Sequence, residues 1–471
     1  MKTGHLARAL GKVWAVPLVL LLAVLAVIVL AVACEGEEET TSADGMGVPA
    51  TATATASPRA VAAVSPTPAA TTPAEATATA PATPAAGGTP VVEGPGITDT
   101  EIILGADCPL SGATAAVYAT IPQTTEAYFK YINETQGGVC GREIVYTVRD
   151  SQDDPAKAIE AVRKLVEHDE VFAIVGSLGD GPHPAVWEYL NENEVPDILC
   201  SAGSHMFGAD PQGHPWTVQM IPSYKIEGTF YGRYISENLP GKKVGIIYPT
   251  NPMGTDGLEG IREGLDPEKN EIVSEQSVTT GAISIKSEVS NMKAAGAEVA
   301  IVFADPGPTA AAVKEANRMD WHPQWFISYL NSDEIMFLFV SPELLEGAIT
   351  FQAVKLAGWT DDPAVAEHHR ILREYGGPAQ PTNFTVYAQV LAEVAVEVLS
   401  RSCDNLTREG LMDALESIKD FHSDLMLDGV NVSFSETDHT GLQTGRMLRA
   451  VIEDGKGKYE YFGPLYEFEG E

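Results

Sequence analysis

"VFAIVGSLGDGPHPAVWEYLNENEVPDIL" occupies residues 171–199, and "VAIVFADPGPTAAAVKEANRMDWHPQWFI" occupies residues 299–327. Both run through an apolar strand, an acidic Gly/Pro loop, a helix and a strand led by proline. Each opening strand is apolar without alternation, the pattern of a strand buried on both faces of a parallel sheet. The two stretches share a plan more than a sequence. They point to two similar α/β lobes without proving a duplication.

The flanking sequence extends each unit. Upstream of the first, "EIILGADCPLSG" (101–112) reads as a strand ending in a turn, followed by an amphipathic stretch from Ala115 to Asn133. "EIVYTVRD" (143–150) is the next strand. "DDPAKAIEAVRKLVEHD" (153–169) is a helix with Asp154 as N-cap, Pro155 in the first helical position, and Ile159, Val162 and Val166 at helical spacing. The second unit opens with "KVGIIYPTNPMGTDGLEGIREGL" (243–265) and continues through the strand "EIVSEQSV" (271–278), with helices over about 283–295 and 309–319. Strands alternating with helices predict an α/β fold of two doubly wound, Rossmann-like lobes. Ligands of such sheets lie beyond the carboxyl ends of the strands. If the lobes face each other by those ends, the loops carrying Asp180 and Asp305 border one cleft.

Length and charge bound the possibilities. The stretch from Ile97 to Glu471, about 375 residues, is too long for one ordinary core and suits two lobes. Lys and Arg number 30 against 65 Asp and Glu. Such a surface repels a phosphate backbone, so nucleic acid is excluded as a partner. The acidity is read as a solubility feature. Cys108, Cys140, Cys200 and Cys403 form no CxxC pair, which leaves a zinc or thioredoxin-type site without support. In an exported chain they point instead to disulfide bonding.

Export is read from the N-terminus. Lys2, Arg8 and Lys12 precede an apolar run from Val13 to Ala33, the layout of a secretory signal. Ala31-Val32-Ala33 directly before Cys34 resembles a bacterial lipobox, which implies that Cys34 is acylated and begins the mature chain; Ala31 stands where that motif usually has Leu. The competing reading is an uncleaved spanning helix, for which the run is long enough. Either way the remainder is exported, with 27 basic against 65 acidic residues. From Thr41 to Val92 the chain is dominated by Ala, Thr and Pro, too poor in large apolar residues to repay its ordering entropy. A flexible chain of about 60 residues spans roughly 40 to 50 Å. The sequence therefore divides into a leader (1–33), a disordered tether (34–96) and the folded part.

"DSQDDPAKAIEAVRKLVEHDEVFAIVGSLG" (150–179), with "PLSG" (109–112) upstream and "NENEVPDILCSAGS" (191–204) and "PWTVQMIPSYKIEGTFYGRYI" (215–235) downstream, resembles the extracellular solute-binding proteins of branched-chain amino acid type ABC transporters. The likeness runs from Ile97 to Glu471. It implies two lobes joined by three crossovers, here near 219–223, 350–355 and 432–440. Residues 97–220 with 356–431 would form lobe one, and 221–355 with 432–471 lobe two. It further implies a monomer that closes on a small polar solute and hands it to a membrane permease, anchored outside the cytoplasm by its lipid, with no metal or cofactor.

In that family the ligand carboxylate is held by hydroxyls and backbone amides of three loops, matched here by Ser111-Gly112, Gly179-Asp180-Gly181 and Gly203-Ser204-His205. Asp180 stands where the family offers Ser or Thr. A carboxylate facing a carboxylate is repelled, so an α-amino acid in the standard pose is disfavoured. The family's ammonium-holding acid in lobe two is also missing from "FISYLNSDE" (326–334), and Asp305 could replace it. The expected ligand set is Ser111, Tyr118, Asp180, Ser204, His205, Asp305, Tyr329 and Phe384, meeting a nitrogen-bearing solute such as an amino acid, amide or urea-like compound. The resemblance also implies a Cys140–Cys403 disulfide and leaves the pairing of Cys108 and Cys200 open.

Each candidate has a plainer alternative. Asp180 and Asp305 precede Gly or Pro and can serve as turn or cap residues. Tyr118, Tyr329 and Phe384 can be core aromatics or pocket walls. His183, His205 and His214 lack tight metal-ligand spacing. An enzyme is disfavoured because the chain has no G-x-S-x-G elbow, H-E-x-x-H or P-loop, and a sensor of the same fold is the other alternative. The anchor is tested by intact-mass spectrometry of membrane fractions: an acylated Cys34 without its leader is expected, and processing stops in Cys34→Ser. An unmodified Cys34 with the leader retained contradicts it.

Overall fold

A computed structural model describes residues 91–92, 94–279 and 285–468. The leader, Cys34 and nearly all of the expected tether lie outside the described residues. At the tether's end, β1 (Val91–Val92) pairs in parallel with a later strand at Asn405–Leu406, so ordered pairing begins before residue 97. Val-Val is the only β-branched pair in the 83–96 stretch, and it is the piece that pairs.

The first sheet contains β2 (Glu101–Cys108), β3 (Glu143–Asp150), β4 (Ala173–Val175), β5 (Asp197–Cys200) and β6 (Thr217–Gln219). They are all parallel and stand in the order β3-β2-β4-β5-β6. The second sheet contains β7 (Lys243–Pro249), β8 (Glu271–Val278), β9 (Val299–Val302), β10 (Gln324–Ile327) and β11 (Ile349–Gln352). After β12 (Asn405–Leu406) come β13 (Thr444–Glu453) and β14 (Lys456–Glu467), which extend that sheet to β14-β13-β11-β10-β9-β7-β8. The parallel parts of both sheets thus share one doubly wound order, with its switch point beside β2 and β7. The antiparallel edge hairpin turns at Asp454-Gly455, both at positive φ (51° and 75°), the backbone that a two-residue turn demands and Asp-Gly supplies.

The unbroken apolar runs are explained by two-sided burial. Along β9, Ala300 and Val302 enter one core while Val299 and Ile301 enter the core on the opposite face. Along β4, Ala173 and Val175 face one core and Ile174 the other. Side chains alternate across a strand, so both faces need apolar residues. The helices start where the sequence places caps. Asp154 accepts from the amides of Ala156 and Lys157 ahead of the helix Pro155–Glu167. Helix Thr120–Gln136 follows a short first turn at Ala115–Tyr118, and the helices read over 283–295 and 309–319 are Lys286–Ala294 and Pro306–Arg318.

Among the described residues the chain passes between the sheets three times. It leaves after β6, returns after β11 with Ala353, Val354 and Ala357 packing into the first core, and leaves again before β13. The passages are tied together by backbone bonds. Gln219 N–H donates to His439 O at 2.9 Å and Gly441 N–H to Gln219 O at 2.9 Å, while Lys355 N–H donates to Leu425 O at 2.8 Å. Val432 and Phe434, beside the third passage, pack into the first core. Cys140 and Cys403 form a disulfide with Cα atoms 5.3 Å apart across a separation of 263 residues, a loop length at which a native bridge contributes about 2 to 5 kcal/mol. Cys108 and Cys200 are free and buried.

Candidate functional site

The carboxyl ends of the two sheets enclose a cavity of about 280 Å³. The first sheet's side supplies Tyr118 after β2, Asp153 after β3, Asp180 after β4 and Ser201 after β5, with Phe384 and Tyr387 from the start of helix Asn383–Arg401. The second supplies Asn251 after β7, Asp305 after β9, Tyr329 after β10 and Gln352 at the end of β11. Tyr224 enters from the first turn of helix Tyr224–Asn238, just past the first passage.

Asp180 is neither a cap nor a bystander. Its Oδ1 accepts the Gly203 N–H at 2.6 Å and its Oδ2 accepts the Tyr224 hydroxyl at 2.5 Å. A Cβ on Gly203 would lie 2.5 Å from Tyr329 Oη and 2.6 Å from the Tyr224 ring, so only glycine lets the loop approach. The Tyr224 and Tyr329 rings stack at 5.5 Å with 8° between planes, and Tyr329 donates to the Pro222 carbonyl at 3.0 Å. Beneath them Glu227 accepts the Tyr329 N–H at 2.6 Å and the Ser328 hydroxyl at 3.1 Å. Burial pushes its carboxyl up to about 8 against these bonds.

Asp305 precedes helix Pro306–Arg318 but makes no side-chain cap bond. Its Oδ1 accepts the Tyr118 hydroxyl at 2.8 Å, a hydrogen bond from the first lobe's side of the cavity to the second's. Tyr118 in turn meets Phe384 edge-on at 5.5 Å. A second connection runs from Ser204 Oγ (3.0 Å) and the His205 N–H (2.7 Å) to Asp256 Oδ2, on helix Pro252–Gly264. Cross-lobe bonds at two places describe a closed cleft.

Of the residues singled out in the sequence, Tyr118, Asp180, Asp305, Tyr329 and Phe384 line the cavity together. Ser111, Ser204 and His205 do not. Ser111 is exposed and donates to Asp150 Oδ2 at 2.6 Å, while Ser204 and His205 join the lobes through Asp256. The other histidines are structural: His183 meets Asp197 at 2.9 Å in the interior, and His214 stacks on Trp187 at 3.7 Å.

The carboxylates lack a cation. No Lys, Arg or His lines the cavity among the described residues. Asp180 is held up at about 6, first by burial and then by its neighbours Asp305 and Asp153, against the pull of the Tyr224 and Gly203 hydrogen bonds. Burial also raises Asp305. Asp153 is held up at about 6 by partial desolvation and by Asp305; its outer side is exposed, so solvent screens part of that effect.

The sequence profile described as "Periplasmic binding protein" matches residues 101–457. The chain belongs to the periplasmic binding protein family. Among its relatives is a Leu/Ile/Val-binding protein homolog 1 of Brucella abortus, 24% identical over 203 residues, covering 42% of this chain and 53% of that protein. This binding protein thus spans about half the length of the first curated relatives it matches. Among solved structures, a fatty acid ABC transporter substrate-binding protein from Thermomonospora curvata superposes with a TM-score of 0.68 at 22% identity, covering 80% of this chain and 95% of that one. A branched chain amino acid ABC transporter from Thermus thermophilus with bound valine gives 0.69 at 20% identity, with coverages of 79% and 98%. Both superpositions show the shared type I fold.

Three wall residues of this periplasmic binding protein, Asp153, Tyr224 and Tyr387, are not among those singled out in the sequence. Asp153 faces the loop at Gly179 because Gln152 and Asp153 both adopt left-handed backbone (φ 51° and 58°), and its neighbour Asp154 takes the legible cap role. Tyr224 lies in a stretch whose pattern reads only as a helix start. Tyr387 was accessible to reasoning, since it stands three residues after Phe384 on one helix face.

The raised carboxyls have a testable sign. Folding lifts Asp180 above the ordinary carboxylate range, so its contribution to stability is fully present below about pH 4 and is lost as pH rises through about 6. The ligand-free Asp180→Asn variant should therefore lose less stability than the parent between pH 4 and 6.5, by up to about 1.4 kcal/mol per pH unit. Urea denaturation at several pH values measures this, and parallel pH dependences contradict it.

Proposed function

We propose that this binding protein captures a small, polar, nitrogen-bearing solute between its lobes outside the cytoplasm and delivers it to the permease of an ABC transporter, held at the membrane by a lipid on Cys34. The observation that carries this reading is that one cavity receives Asp180 from the first lobe and Asp305 from the second. A solute touching both carboxylates is fully bound only when the cleft is shut, so it shifts the population from open to closed. Closure would bend segments 219–223, 350–355 and 432–440, leaving 97–220 with 356–431 on one side and 221–355 with 432–471 on the other. The names of similar proteins support transport and span chemically different cargo, valine in one and fatty acid in another. The ligand must therefore be argued from the walls of this cavity.

In this reading Asp180 and Asp305 accept from solute N–H groups; Tyr118, Tyr224, Tyr329 and Phe384 exclude water. Each carboxylate oxygen has two lone pairs, so Asp180 can accept from a solute while keeping its bonds to Gly203 and Tyr224. A thermal-shift screen of small solutes tests the proposal, because a ligand at 100 times its Kd adds about 2.7 kcal/mol of stability. A hit should compact the protein in small-angle scattering, and Asp305→Ala should weaken it by about 1.5 to 3 kcal/mol. A screen without hits, or a hit that binds without compaction, sinks the solute-capture reading.

A further inference from the structure

We infer that the solute is an organic ammonium cation lacking a carboxylate, an alkylamine or related amine, rather than a zwitterionic amino acid; this rests on the solute-capture reading above. The cavity's hydrogen-bonding groups are unbalanced. Most of its hydroxyl donors are already taken by the protein itself. The Tyr118 hydroxyl goes to Asp305, the Tyr224 hydroxyl and the Gly203 amide to Asp180, the Tyr329 hydroxyl to the Pro222 carbonyl, and the Gln352 amide to Ser332 Oγ. Ser201 and Tyr387 share one hydrogen bond at 2.8 Å, which leaves one hydroxyl hydrogen of the pair for a ligand. The donors left are all neutral: the Asn251 side-chain amide, whose oxygen already accepts the Gly254 N–H, the second N–H of Gln352, and the backbone amides of Gly179, Asp180 and Gly181, which meet no acceptor among the described residues.

The carboxylates, in contrast, stand without a counter-charge among the described residues. Asp305 Oδ2 receives no donor among the described residues, and neither does the Asp153 carboxylate at the mouth, while Asp180 keeps spare lone pairs. A ligand carboxylate entering this space would face up to three acids with only neutral donors, and no cation among the described residues, to hold it. An ammonium group meets the opposite arrangement: its N–H groups find carboxylate oxygens, and its charge removes the repulsion among Asp153, Asp180 and Asp305.

The non-polar part of the wall fits the same class. Tyr118, Tyr224, Tyr329 and Phe384 are all buried, with exposures of 8%, 1%, 4% and 8%. Their rings can cover the methylenes of an amine and, facing a cation, add attraction through the ring quadrupole. A volume of about 280 Å³ limits the cargo to a compact molecule. Asp180 itself stands where a ligand carboxylate would otherwise lie. It occupies the Gly203 amide that an incoming carboxylate would otherwise use.

Matched pairs that differ only in the carboxylate test the assignment: L-leucine against 3-methylbutylamine, and L-valine against 2-methylpropylamine, titrated calorimetrically into the full chain at pH 7.5. Each amine should bind at least ten-fold more tightly than its amino acid. Asp305→Asn and, separately, Asp153→Asn should each weaken the amines at least five-fold, with thermal melts confirming that the variants fold. An amino acid binding as tightly as its amine, or amine affinity unchanged in both variants, overturns the inference. If an amino acid or a neutral solute binds with compaction, solute capture stands and only the class falls. If neither these probes nor the wider screen closes the cleft, both fall.

Discussion

The carboxylate of Asp180, held between the Gly203 amide and the Tyr224 hydroxyl, is the constraint on which the rest of the cavity depends. It ties the loop after β4 to the loop after β5 and to the helix that begins the second lobe. Those bonds fix the Tyr224 ring, on which Tyr329 stacks, and Tyr329 is set by Glu227 from below. A half-buried acid with no basic neighbour is a costly arrangement, since desolvation opposes its charge. Here that cost is retained at the one place where a cationic solute would relieve it.

The scaffold explains why such an acid can be positioned. Strands buried on both faces, such as Val299–Val302, cannot slide by one residue without exchanging two cores. The loops at their carboxyl ends are therefore held at fixed places, and the same doubly wound order in both sheets brings two switch points to one cavity. The passages between the lobes are bonded to each other through Gln219, His439 and Gly441, so bending them moves the lobes as units. Tyr118 to Asp305, and Ser204 and His205 to Asp256, are the bonds that cross between the lobes beside the cavity.

How much of this was legible in the sequence follows from whether a feature is local. Apolar runs, the Asp154 cap with Pro155, and the alternation of strand and helix are local, and the structure has them where the residues put them. The Asp454-Gly455 hairpin carried an equally local signal. Asp305 could be placed after a strand, but its role could not, because a cap and a cavity wall share the same sequence position and differ only in where the side chain turns. Ser204 and His205 were expected at the solute because their loop borders the cleft. Their partner, Asp256, lies about fifty residues away, on a helix of the other lobe. Asp153 needed a left-handed backbone that its sequence does not announce.

The central claim is that carboxylates from both lobes receive positive charge from the solute. Proton release on binding tests it most directly, measured by titration calorimetry in buffers of different ionisation enthalpy. Asp153 and Asp180 are held at about 6 without a cation, and a bound cation favours their ionised forms. The account predicts that solute binding expels a substantial fraction of a proton at pH 6 and almost none at pH 8. Binding at pH 6 with no proton released, or with protons taken up, would contradict it.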